Sequence, residues 1–283
     1  MHPRNTGSNP AEQRGGPSNS LERALLILEL VEQAQFGLTN SEISRRLTIA
    51  TSTCSYILGR LEKRGYLERG GNGRYRMGLS ALALAYGTLR DLGIRSTSES
   101  ALYRLVNETG LSASIGMLER GRILVVDRIE SPKLAKVTPA DSAQVRPRRL
   151  REVGRELPLH SNAMGKAVLA YLPAPQTLAI LDAQGLPRCT PHTITSKTEF
   201  LRELEKIREQ GFATTCQEQY VGVCGIGVPI YDEAGLVRGA VSLNGSLLES
   251  RCEDRDRFAV EVQIAARTIS SQGKPWNPEL SFR

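Results

Sequence analysis

Thr51, Ser52 and Thr53 stand in a row. Ser55, Tyr56 and Arg60 follow closely, and Arg69, Arg74 and Arg76 lie just beyond, in YLERGGNGRYRMG. Small hydroxyls bond phosphates or base edges at close range, and arginines meet phosphate or enter a minor groove. The chemistry on offer is hydrogen bonding and charge toward a polyanion. His160-Ser161 and Cys224 offer something else, a base and two nucleophiles. No G-x-S-x-G elbow, H-E-x-x-H or P-loop accompanies them, and one of the few histidines is His2 in the polar N-terminal stretch. Cys189 and His192 form a C-x-x-H, but no second pair at zinc-site spacing joins it, so neither metal nor cofactor is expected.

The first group needs elements to position it. Ser20 is placed to cap a helix in which Leu21, Ala24, Leu25, Leu28 and Val31 recur at three- and four-residue steps. Thr39 and Glu42 have capping-box spacing and open NSEISRRL, with Ile43 and Leu47 inward and Arg45 and Arg46 outward. A third helix spans Thr51 to Arg64, with Cys54, Ile57, Leu58 and Leu61 on one face and Gly65 as a left-handed C-cap. YLER and RYRM read as strands around GGNG, where the glycines and Asn72 suit positive φ. Three helices and a hairpin make a winged helix-turn-helix, whose third helix enters the major groove N-terminus first. The competing reading is a protein-docking domain with a solvated charged face.

The second half has different patterns. Residues 78–93 read as a helix with a stripe of Leu79, Leu82, Ala83, Tyr86 and Leu89, fit to pack on a second copy or between domains. ESALYRLVNETG is a helix ending at Gly110, and SASIGMLERGRILVVDRIE is a hairpin turning at Arg120-Gly121. The basic QVRPRRLREVGR interleaves no aromatics for stacking and reads as a solvated connection. HSNAMGKAVLAYL starts a helix capped by His160 or Ser161, where Gly165 admits a ligand or another backbone and the helix start suits a carboxylate. TEFLRELEKIREQG is an amphipathic helix with Phe200, Leu201, Leu204 and Ile207 inward. FATTCQE, GVCGIGVPIYD and LVRGAVSLNGS are strands, with DEAG turning between the last two, and EDRDRFAVEVQIAARTIS covers the sheet.

The 283 residues suit two domains, and 40% hydrophobic with 24% charged residues is an ordinary globular composition. No apolar run approaches a membrane span, and MHPRNTGSNPAEQRGGPSNS lacks a signal-peptide core, so a cytoplasmic protein is expected. The net charge of +7 permits a nucleic-acid partner. Cys54, Cys189, Cys216, Cys224 and Cys252 are odd in number and scattered, as thiols of a reducing compartment are.

From Ser20 to Gly273 the chain resembles the IclR family of bacterial transcriptional regulators. The likeness rests on SLERALLILELV, GLTNSEISRRLTIATSTCSYILGRLEKRGYLER, GRYRMGLSALALA, LPLHSNAMGKAVLAYL and REQGFATTCQEQYVGVCGIGVPIYDEAGLVRGAVSLNGS, in the family's order. The resemblance implies an α+β chain: an N-terminal winged helix-turn-helix, a linker helix and a C-terminal GAF-like effector-binding domain with a central antiparallel sheet. The expected divisions are a disordered tail at 1–18, the DNA-binding domain at 19–78, the linker at 79–93, the effector domain at 94–273 and a tail at 274–283. It implies a homodimer or homotetramer on a palindromic double-stranded DNA operator, switched by a small carboxylate or aromatic effector, with no membrane partner. A small-molecule enzyme, or a sensor that docks proteins without DNA, is the alternative. DNA contacts are expected from Thr51, Ser52, Thr53, Ser55, Tyr56, Arg60, Arg69, Arg74 and Arg76. The resemblance places the effector among Ala163, Met164, Gly165, Thr214, Cys224, Ser242 and Asn244. Where the family's third helix commonly begins Pro-Lys-Ser-Thr, with an Arg four residues after the Ser, this chain has Ala50, Thr51, Ser52, Thr53 and Tyr56. The operator therefore does not transfer from relatives.

Overall fold

The computed structural model describes residues 19–91, 94–131, 153–245 and 254–272. The tails expected at 1–18 and 274–283, most of the basic stretch 144–155, and Cys252 lie outside the described residues. The chain divides after Thr88 into two compact units.

The N-terminal unit is built from α1 (Ser20–Glu32), β1 (Leu38–Thr39), α2 (Asn40–Leu47), α3 (Thr51–Lys63), β2 (Leu67–Arg69) and β3 (Arg74–Met77). Asn19 rather than Ser20 caps α1, its side chain accepting from Glu22 N. Its buried face centres on Ile27 and Val31, while Leu21 and Leu25 are exposed; the apolar stripe is rotated from the expected one. Thr39 and Glu42 close the capping box on α2 in both directions. Cys54, Ile57 and Leu58 of α3 pack with Ile27, Ile43 and Leu67 in one core. Gly65 is left-handed at φ +72° after α3. In the hairpin turn only Gly73 takes positive φ. Asn72 instead accepts from Arg74 N through its side chain. The sheet has three strands, because Leu38–Thr39 pairs with β3 to give the order β1-β3-β2. Gly37 enters this strand at φ +69°, and a Cβ there would meet Tyr75 O at 2.5 Å. Helix α4 (Leu79–Asp91) follows, with Leu79, Leu82, Leu84 and Tyr86 exposed.

The C-terminal unit holds α5 (Ile94–Thr109), β4 (Ser112–Glu119), β5 (Arg122–Ile129), β6 (Glu156–Leu157), α6 (Ala163–Tyr171), α7 (Ala174–Gln184), α8 (Lys197–Gln210), β7 (Ala213–Cys216), β8 (Cys224–Tyr231), β9 (Val237–Gly245) and α9 (Asp254–Gln272). The strands form one antiparallel sheet in the order β6-β5-β4-β9-β8-β7. Arg120 and Gly121 turn the β4–β5 hairpin with φ of 46° and 75°. Asp232 and Gly235 close the β8–β9 turn. Two cores flank the sheet. Ala113, Ile115, Cys224, Ile226, Val241 and Leu243 pack with α5 and α9 on one face. On the other, α6, α7 and α8 pack together through Val168, Leu169, Leu181, Phe200 and Leu204. Helix α7, which begins at a proline cap, has only a weak apolar stripe and was not expected from the sequence.

Candidate functional site

In the N-terminal unit, α3 presents Thr51, Ser52, Ser55, Tyr56 and Arg60 to solvent, and Thr53 is half-buried. No side chain caps this helix, so its first amides remain open to an acceptor. The turn before it is fixed from within. Ser44 Oγ donates to Ile49 O at 2.6 Å and lies 3.1 Å from Thr51 Oγ1. With the Ser44 proton so used, the Thr51 hydroxyl is the donor to Ser44. Arg60 lies over the Tyr56 ring, 5.8 Å from its centroid, which extends the aromatic surface with a cation. On the hairpin, Arg69 and Arg76 are exposed.

Arg74 departs from the expected phosphate contact. Its Nη1 lies 3.1 Å from Glu42 Oε2 and 2.9 Å from Gly37 O, and its Nη2 lies 3.2 Å from Glu42 Oε1. Strand alternation explains this. The buried Tyr75 ring faces the helices on one side, and Arg74 crosses β1 on the other to reach the α2 cap. The Glu42 carboxyl is held below its ordinary pKa. The Thr39 backbone N–H is the main cause; the Thr39 hydroxyl and Arg74 add to it, and burial opposes it.

In the C-terminal unit, Asn162 caps α6 by accepting from Gly165 N at 2.8 Å, replacing the expected His160 or Ser161. Gly165 serves packing. A Cβ there would sit 2.2 Å from Leu159 O, so the close approach is to backbone. Ala163 lies against the sheet where Gly225 and Gly227 leave room: a Cβ on Gly227 would meet Ala163 O at 2.4 Å. A Cβ on Gly116 would meet Met164 Sδ at 3.1 Å.

Those contacts identify which side of each strand faces α6. Directly paired residues share a face, so Thr215, Gly225, Asn244 and Ser112 form one row. Ala213, Gly227, Ser242, Ser114 and Arg128 form the next. Ser242 and Asn244 are therefore on the α6 side, and Asn244 Nδ2 donates to Ser242 Oγ at 3.0 Å. Thr214 and Cys224 are not. Thr214 pairs with Ile226, and Cys224 is part of the core under α5 and α9. The expected set is split between faces by one residue along β7 and β8, where Thr215 and Gly225 are the neighbours that face α6.

Three buried charged residues, Arg128, Lys166 and Glu218, were not anticipated. Arg128 is 9% exposed in the polar row, and its Nη1 donates to Ser114 Oγ at 2.9 Å. Glu130 approaches the same guanidinium at 3.8 Å. On α6, Lys166 is fully buried, and its Nζ lies 2.6 Å from Glu218 Oε1 and 3.6 Å from Glu203 Oε1. Thr190 and Thr193 hold the Glu218 segment by donating to Gln217 O and Glu218 O at 2.6 and 2.7 Å. Burial pushes the Glu218 carboxyl up, and the Lys166 charge pulls it back.

The nucleophile–base arrangement does not assemble. His160 Nε2 donates to Pro187 O at 2.9 Å, and burial is the main cause of its lowered pKa. Ser161 Oγ faces Cys189 Sγ at 3.6 Å, while Cys224 belongs to the opposite face of the sheet. Among the described residues no helix is long and apolar enough to cross a membrane.

Comparison with known proteins gives this geometry its context. The IclR helix-turn-helix domain matches residues 20–71, and the bacterial transcriptional regulator IclR C-terminal domain matches residues 86–271. The HTH-type transcriptional regulator XynR of Escherichia coli is 30% identical over 254 residues, 89% of this chain and 95% of XynR. The crystal structure of the Thermotoga maritima IclR covers 89% of this chain and 98% of its own, at 26% identity and a TM-score of 0.68. An IclR homolog from Microbacterium hydrocarbonoxydans, complexed with 4-hydroxybenzoate, aligns over 90% of this chain and 98% of its own, at 24% identity and a TM-score of 0.74. With a winged helix-turn-helix at one end, a helix-flanked antiparallel sheet at the other and both family domains matched, the chain belongs to the IclR family of DNA-binding transcriptional regulators and is not an enzyme.

Proposed function

We propose that this regulator binds a palindromic operator as a homodimer or homotetramer in the cytoplasm. A small carboxylate, bound over the polar face of its C-terminal sheet, switches that binding. The observation that carries the effector class is Arg128, a buried guanidinium in a row with Ser114 and Ser242. The start of α6 lies over the same face, and its first amides add partial positive charge. The helix start favours an anion, as does that part of the Arg128 charge which Glu130, 3.8 Å from its Nε, does not offset, and Ser112, Ser242, Asn244 and Thr215 supply hydroxyl and amide partners. The relative bound to 4-hydroxybenzoate carries an aromatic carboxylate, which supports the same class here. On the DNA side, Ser52, Ser55 and Tyr56 read base edges, and Thr51, Arg60, Arg69 and Arg76 meet the backbone.

A thermal-shift panel of small carboxylates, with neutral analogues of the same shape, tests this reading. A ligand at about 100 times its Kd stabilises the fold by about 2.7 kcal/mol. Arg128→Gln should abolish the shift given by carboxylates. A panel in which neutral analogues stabilise wild type as well as the acids do would overturn the anionic class.

A further inference from the structure

Cys216 ends β7 and Cys224 begins β8, and the two are direct partners in the antiparallel register. Gln217 N donates to Val223 O at 2.8 Å, so that neighbouring pair is the hydrogen-bonded one. The cysteines therefore occupy the non-hydrogen-bonded position, where facing Cα atoms come closest, about 4.5 Å apart. A disulfide spans Cα separations of about 4.4–6.8 Å. The two Sγ atoms already lie 3.3 Å apart. Cys216 is exposed and Cys224 is buried, so one sulfur meets solvent and the other waits behind it. The loop between them is held closed: Gln217 is left-handed at φ 57°, and its side chain accepts from Gly222 N at 3.0 Å. Neither cysteine faces α6, so this pair is separate from the effector face.

We propose that Cys216 and Cys224 are an oxidisable dithiol, with hydrogen peroxide as the class of oxidant. The exposed Cys216 thiolate attacks one peroxide oxygen. The O–O bond breaks, the departing hydroxide takes up the thiol proton as water, and Cys216 becomes a sulfenic acid. The Cys224 sulfur then attacks Cys216 sulfur, expelling the hydroxyl, which leaves as a second water with the Cys224 proton. Two thiols and one peroxide give one disulfide and two waters. The sulfur pair loses the two electrons that peroxide gains. The resulting link staples the outermost strand β7 to β8 immediately beside Thr215, and so ties the redox state to one wall of the polar face.

The test uses the full-length reduced protein, one equivalent of hydrogen peroxide and alkylation of the remaining thiols. A glutamate-specific protease cuts after Glu209, Glu218 and Glu233, which puts Cys216 on peptide 210–218 and Cys224 on peptide 219–233. The expected product is these two peptides joined, lighter than their sum by two hydrogens and separated by reductant. Cys189, whose sulfur faces a serine hydroxyl, serves as the single-thiol reference. In Cys224→Ser the joined peptide should vanish, and Cys216 should stop at the sulfenic acid, trapped by dimedone, and run on to sulfinic acid only when a second equivalent of peroxide is added. Alkylated Cys216 and Cys224 after peroxide treatment, or Cys216 overoxidised in wild type while Cys224 stays alkylated, would overturn the proposal.

Discussion

Arg74 of β3 and Glu42 of α2 form a two-point ion pair, at 3.1 and 3.2 Å, that ties the wing to the helix preceding the recognition helix. The pair is partly exposed, and the third contact, to Gly37 O, fastens the same guanidinium to β1. Arg74→Ala should therefore lower the stability of the N-terminal unit by about 1 kcal/mol, read by urea unfolding. Its salt dependence on random DNA should match wild type, whereas Arg69→Ala and Arg76→Ala should each reduce the slope by about 1. A reduced slope for Arg74→Ala would return it to the phosphate contacts.

Glu42 also gives the N-terminal unit a pH signature. Its carboxyl is held below the ordinary 4.5 by hydrogen bonds from Thr39, assisted by Arg74. A depressed pKa contributes stability that is full above the unfolded value and is lost as pH falls through the folded one. Thermal melts should therefore show the unit weakening below pH 4.5, and Glu42→Gln should flatten that part of the profile.

The buried Lys166–Glu218 pair should be costly to break from one side. Lys166→Met leaves the Glu218 carboxylate buried without its cation, at about 3–5 kcal/mol. Because burial already raises the Glu218 pKa, the loss should shrink as pH is lowered and the carboxyl protonates. Adding Glu218→Gln should recover most of the stability at neutral pH. Chemical denaturation across pH, single against double variant, reads both effects.

At the recognition helix, Ser52→Ala removes an exposed hydroxyl at the groove-entering end. Operator binding should weaken by about 1–3 kcal/mol, with little change on random DNA. Gel shifts against both kinds of fragment distinguish a base contact from a phosphate contact.

Gly165→Ala tests the packing role of that glycine. With Leu159 O only 2.2 Å from the added methyl, the backbone must shift, and overpacking costs about 1–3 kcal/mol. The melting temperature should fall with no ligand present. A variant of wild-type stability that has lost only its effector response would make Gly165 a ligand contact.

The N-terminal unit was the more legible half. Thr39 and Glu42 announce the start of α2, and Cys54, Ile57 and Leu58 keep helical period, so both helices follow from local pattern. The Arg74–Glu42 pair was not legible because Glu42 is 32 positions earlier, and strand alternation alone does not say what lies opposite. The one-residue slip at Thr214 and Cys224 has a sharper cause. Cys224 to Ile230 of β8 are buried in an unbroken run, with helices on both faces of the sheet. Such a strand has no polar phase from which to tell inward from outward. The glycines at 225 and 227 mark the α6 side only once Ala163 is seen against them. Lys166 was hidden in a similar way. Within an apolar run it reads as a solvated charge, and its partner Glu218 is 52 residues on.

The two-sided sheet has a consequence for how such a sensor is altered. Ser112, Ser114, Thr215, Ser242 and Asn244 alternate with residues that hold the α5 and α9 core. On the proposed effector site, ligand preference and structural integrity would fall on alternate positions of the same strands. If that site holds, a combinatorial library confined to those five codons would sample new effectors without touching the hydrophobic side, whereas a randomised block of consecutive codons would also alter the α5 and α9 core.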